Sequence, residues 1–116
     1  MDKQSLYKII GLLSIIAGEF LSIYGEMLGS KYGRGNSSFL IKPAILMVAG
    51  GLVLLVGYML AYSGFKNIRI VSVVSITAIL ILEPILAWTL FHEIPTKGSI
   101  IGFIFGAMGM LATIFL

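Results

Sequence analysis

Long apolar runs separated by short polar clusters set the rhythm of this chain. After MDKQS a first run extends from about Leu6 to Leu28, interrupted by Glu19 and ended by Glu26. GSKYGRGNSS, residues 29–38, follows with Gly, Ser and basic side chains, the chemistry of a turn at a water interface. The second run spans about Leu40 to Tyr62 and closes with SGFKNIR; the third spans about Ile70 to Phe91. HEIPTK makes a tight turn in which Pro95 can start a helix and Thr96 can cap one. The fourth run covers about Gly98 to Leu116. Each run is close to the ~20 residues that cross a bilayer as a helix. Apolar positions are continuous and do not alternate with period two, which disfavours spanning strands. The pattern predicts an all-α membrane protein, a single transmembrane domain over residues 1–116 with four helices at about 6–28, 40–62, 70–91 and 98–116.

Composition agrees. Hydrophobic residues make up 59% of the 116 and charged residues 11%, with a mean hydropathy of +1.07, well above an ordinary soluble domain. Lys3 and Lys8 precede the first run as they would in a signal peptide, but Glu19 in mid-run and the lack of an A-x-A-like site argue against cleavage. Cysteine is absent, which removes disulfides and thiolate chemistry, and the single histidine, His92, argues against a zinc site. No metal or cofactor is expected. Eight Lys and Arg stand against five acids; in a membrane chain that excess belongs at helix ends facing lipid headgroups, so lipid is the expected partner and nucleic acid is not. Enzyme activity fits poorly, since no nucleophile and base with an orienting third group can be assembled.

The charges inside the runs carry the functional signal. A carboxylate at the centre of a spanning helix costs about 2.5–3.5 kcal/mol on insertion scales, so it needs an interior partner or a wet cavity. Glu19 lies thirteen residues after Leu6, and Glu83 thirteen after Ile70, on helices running the same way, which predicts both at one depth and hence one site. Lys42 is the nearest base and can snorkel to the interface. Burial disfavours the charged form of a carboxyl group, so such acids are protonated or meet a cation that comes and goes. The bland alternative is a protonated Glu19 bonded to a backbone carbonyl or to Ser14 or Ser22.

Other residues join or flank that site. Glu26, seven residues after Glu19, shares its helical face and can relay protons or, more simply, pair with Lys31 or Arg34. Pro84 removes a backbone hydrogen bond to the Leu80 carbonyl and predicts a kink beside Glu83. Trp88 offers either a π face to a cation or an interfacial anchor. Glu93 suits the N-terminus of the fourth helix, and His92 beside it is a surface residue. Gly98, Gly102 and Gly106 form a tandem GxxxG ridge on the fourth helix with Gly109 near the same face, the mark of helix packing or a dimer interface. Gly50, Gly57 and Ala61 predict a packing seam on the second, and Gly50 with Gly51 equally a hinge. Four helices make a thin wall round a charged site, so a homodimer is expected. Lys3, Lys8, Lys66 and Arg69 fall on one side of the membrane and Lys31, Arg34, Lys42 and Lys97 on the other. That balance leaves orientation weakly determined and allows an antiparallel pair.

The segment NIRIVSVVSITAILILEPILAWTLFHEIPTKGSIIGFIFGAMGMLATI resembles the C-terminal part of domains in the drug/metabolite transporter superfamily. The likeness rests on Glu83 and Pro84, the His92–Glu93 turn, and Gly98, Gly102, Gly106 and Gly109. In length and helix number the chain is similar to the small multidrug resistance family and to four-helix subunits proposed to flip aminoarabinose lipids. The resemblance implies that Glu19, in IIAGEF, occupies the place of the small multidrug resistance family's essential glutamate, which binds protons and cations alternately in an antiparallel dimer. Glu83 is an extra acid by that family's standard, and Glu-Pro is closer to the ten-helix members. A multi-pass protein of a prokaryotic cytoplasmic membrane is implied. Three functions are consistent with these readings: a proton-coupled exporter of small organic or lipophilic cations; a flippase for a lipid-linked carrier or exporter of a polar metabolite; and a non-transporting subunit of a larger complex.

Overall fold

The computed structural model describes residues 2–35 and 37–116, and among them it contains helices and no strand. Helix α1 spans Lys3–Tyr32, α2 Ile41–Phe65, α3 Ile68–Phe91 and α4 Lys97–Phe115, with a short 3-10 turn at Ser37–Leu40 leading into α2. Three of these segments, Lys3–Tyr32, Ser38–Phe65 and Ile68–Phe91, are long and apolar enough to cross a membrane. The fourth is apolar and shorter; its 19 residues rise about 28 Å, close to a ~30 Å hydrocarbon core. A multi-pass membrane protein is the architecture this describes.

Local chemistry sets the ends. Asp2 caps α1 by accepting the Ser5 N–H at 2.7 Å, Asn67 caps α3 through Arg69 N–H, and Thr96 caps α4 through Ser99 N–H, as its place in the HEIPTK turn predicts. The first polar cluster is shorter than its sequence indicates, because Gly29, Ser30, Lys31 and Tyr32 continue α1; residue 36 of that cluster lies outside the described residues. The ends of α2 and α3 were not legible. Both close on a residue in the left-handed region, Lys66 at φ 57° and His92 at φ 56°, whose N–H groups return to the Tyr62 and Trp88 carbonyls. Glycine is the usual residue there.

Antiparallel α1 and α2 share the most extensive contact, with α3 laid against α1 so that the two run in the same direction. Small residues make the first contact possible. A Cβ added at Gly11 would lie 2.5 Å from the Ala61 nitrogen, one at Gly18 2.9 Å from the Leu54 nitrogen, and one at Gly57 2.9 Å from the Ile15 nitrogen. Gly25 meets the Pro43 carbonyl and Gly64 meets Lys8 in the same way. Thus Gly11, Gly18 and Gly25 on α1 and Gly50, Gly57 and Gly64 on α2, each set spaced by seven, let the backbones touch. The seam expected from Gly50, Gly57 and Ala61 is present, and its α1 half extends it. Above it Ile15, Ala61 and Val71 form the buried core, with Leu54, Tyr58, Phe65 and Val74 against them. Large side chains such as Leu13, Ile45 and Val48 are more than 60% exposed, as a lipid-facing surface requires.

Candidate functional site

Glu19 is the buried acid of the bundle. Its side chain sits between α1 and α3, 7% exposed, and its Oε1 accepts a hydrogen bond from the Ser75 hydroxyl at 2.5 Å. Ser75 is itself 5% exposed. Two features of the chain place this pair. Gly18 lets α2 close against the turn that carries Glu19, and α1 and α3 run parallel, tied at one end by Lys31 to the Leu90 carbonyl, while at the other end the Gln4 amide ties α1 to the Gly64 carbonyl of α2. The partner is neither Ser14 nor Ser22. Ser22 faces Gly50 and Ser14 faces Gly57, both in the α1–α2 seam.

The expectation that Glu19 and Glu83 share one depth is corrected by this register. Counting from the start of each run assumes that the runs start level, whereas Glu19 stands opposite Ser75. Glu83 is eight residues further along α3, about 12 Å away along the axis. It is partly exposed and lines a separate cleft of about 200 Å³ with Pro84, Met27 of α1, and Glu93, Thr96 and Ser99 from the turn into α4. The acid that shares a cavity with Glu83 is therefore Glu93, which falls before the Thr96 cap and outside the first turn of α4. Helix α3 continues through Pro84.

The remaining sequence candidates disperse. Glu26 is exposed and lines a shallow groove with Gly29, Pro43 and Met47 at the α1–α2 end. Lys31, one of its two expected partners beside Arg34, instead donates to the Leu90 carbonyl at 2.5 Å and lies over the Tyr32 and Phe91 rings. Trp88 is 63% exposed on the outside of α3 and does not line the Glu83 cleft. Gly98, Gly102, Gly106 and Gly109 all fall on α4, a helix that packs only on α3 among the described elements and buries none of its described side chains. A Cβ at Gly106 would lie an ordinary 3.5 Å from the Leu80 side chain, and one at Gly102 would meet nothing within 4 Å. His92 is exposed at the end of α3.

Ser75 is the residue that sequence reasoning missed. Its sole signal is a hydroxyl in VSVVSITA, beside those of Ser72 and Thr77, and only the α1–α3 register selects it. Chemically the pair is a carboxyl oxygen that accepts from a neutral hydroxyl donor. It can hold a proton or a cation, and it lacks the third group that bond-breaking chemistry needs. No family model, curated protein or solved structure matches the chain.

Proposed function

We propose that the protein is a membrane transporter that exchanges protons for small organic or lipophilic cations by alternating access in a dimer, with Glu19 as the coupling acid. One observation carries the reading: a carboxyl group in mid-span, buried, whose hydrogen-bond partner is a neutral hydroxyl. An ionisable group at such a position is functional by default, because its insertion is costly. Proton and cation compete for the same oxygens, so loading one releases the other, which is the minimal chemistry of antiport. The Glu83–Glu93 cleft gives a cation an acidic approach from the membrane surface. Membership of the drug/metabolite transporter superfamily belongs to the same proposal and rests on the Glu83–Pro84 and glycine motifs. So does the homodimer, for which the uncovered α4 supplies the surface.

The test is uptake in vesicles containing only this protein. A cation-dependent change of internal pH, abolished in Glu19→Gln, is the expected result; undiminished exchange in that variant removes the mechanism. The exposure of α4 also favours a second reading, a non-transporting subunit of a larger complex. Copurification at fixed stoichiometry with an unrelated membrane protein, without uptake by this chain alone, selects it.

A further inference from the structure

We propose that Ser75 is a ligand for the transported cation and selects cations that carry N–H donors, an inference that rests on Glu19 being a cation site. Hydroxyls in these helices have a common habit. Ser30, Ser63, Thr77 and Thr89 each donate to the carbonyl four residues back, those of Glu26, Met59, Val73 and Ile85. Ser75 does not. Its proton crosses the α1–α3 interface to Glu19 Oε1, although the Val71 carbonyl stands in the same i−4 position behind it. A hydroxyl has one donor and two acceptor lone pairs. With no cation bound its proton serves Glu19 Oε1. When a cation takes the carboxylate, the proton turns back to Val71, the geometry the other hydroxyls adopt, and a lone pair faces the cation at no cost in unsatisfied groups.

The surroundings have room and little competing charge. Among the described residues no fully enclosed side-chain oxygen lacks a partner, so Glu19 Oε2, to which no protein donor is bonded, is not completely enclosed. Ile16, one turn before Glu19, and Ala78, one turn after Ser75, border a neighbouring apolar groove of about 310 Å³ with Val74 and Ile81, which Glu19 and Ser75 do not themselves line and which suits the apolar part of an organic cation. At the level of Glu19, α2 presents Gly50 and Leu54. Its ionisable groups are Tyr58, packed on the Ile15–Val71 core, the exposed Tyr62 and Lys42 near its start; α3 contributes Arg69 at its start and Glu83 two turns on.

A lone pair can accept from a primary ammonium and cannot bond a quaternary one, so two probes of similar apolar bulk separate the roles. Benzylammonium and benzyltrimethylammonium are titrated calorimetrically into the detergent-solubilised full chain at pH 7. Ser75→Ala is expected to weaken benzylammonium about tenfold, one charge-assisted hydrogen bond, while benzyltrimethylammonium stays within about twofold and so reports an intact site. Ser75→Thr, which keeps the hydroxyl, restores benzylammonium binding. Equal weakening of both probes, or no weakening of either, overturns the role of Ser75 and leaves the Glu19 reading in place. If neither probe binds the wild type, or both bind Glu19→Gln unchanged, the cation site falls and this inference with it.

Discussion

The two glycine seams of this molecule use one residue type for opposite ends. Along α1 and α2 the glycines are consumed: at Gly11, Gly18 and Gly57 a Cβ would lie within 3 Å of the facing helix's backbone nitrogen. At Gly102 and Gly106 of α4 they are not, since a Cβ at Gly102 would meet nothing within 4 Å and one at Gly106 only an ordinary contact with Leu80. A small-residue motif therefore announces close approach without naming the partner. In α1–α2 the approach is made within the chain, and at Gly102 and Gly106 of α4 no described helix makes it. The candidate site lies on the α1–α2 side, where Glu19 is held by the tight α1–α2 pair and the α1–α3 register.

Substitution separates the seams most sharply. Gly11→Ala or Gly57→Ala drives a methyl into backbone and is expected to cost about 1–3 kcal/mol in a denaturant titration, whereas Gly102→Ala stays within about 0.5 kcal/mol. Equal losses would erase the distinction. Next in size is a change in association alone: Gly102→Leu is expected to lower the dimer fraction in sedimentation or crosslinking while the thermal midpoint holds. An unchanged dimer would move the interface off α4. The left-handed caps come third, since Lys66→Gly and His92→Gly relieve a conformation that costs other residues about 1–2 kcal/mol. Each should raise unfolding stability by about 1 kcal/mol, with Lys66 acting at the end of the tight pair and His92 at the looser one. The smallest effect is at the start of α1. The Ser5 backbone and side-chain hydrogen bonds, with the Lys8 charge as a lesser cause, hold Asp2 below the ordinary carboxylate value of 3.8. Its contribution is present above that value and is lost as pH falls through the lower folded one. Amide exchange at the first turn of α1 should accelerate below pH 3.8 in the wild type and show no such step in Asp2→Ala.

What the sequence makes legible follows from what is local. Run lengths, Thr96 as a cap, and Gly50, Gly57 and Ala61 as a seam are written in neighbouring residues, and the structure places the helices within a few residues of the expected bounds. Register between helices is not local. α1 begins nearer the surface than α3 does, so equal counts from Leu6 and Ile70 misjudge depth, separate Glu83 from Glu19 and hide Ser75. The Gly11, Gly18 and Gly25 spacing was available as a repeat of seven matching Gly50, Gly57 and Gly64, and it was the one missed signal that could have fixed α1 against α2 beforehand. Lys66 and His92 as left-handed caps had no such signal, because neither is a residue that favours that conformation.

The account turns on a single carboxyl group that trades a proton for a cation, and counting protons released as cation binds tests it most directly. In weakly buffered detergent solution the wild type and Glu83→Gln are expected to release protons as cation binds, the reciprocal of competition at one site, and Glu19→Gln none. Proton release that survives in Glu19→Gln, or that vanishes in Glu83→Gln alone, contradicts it.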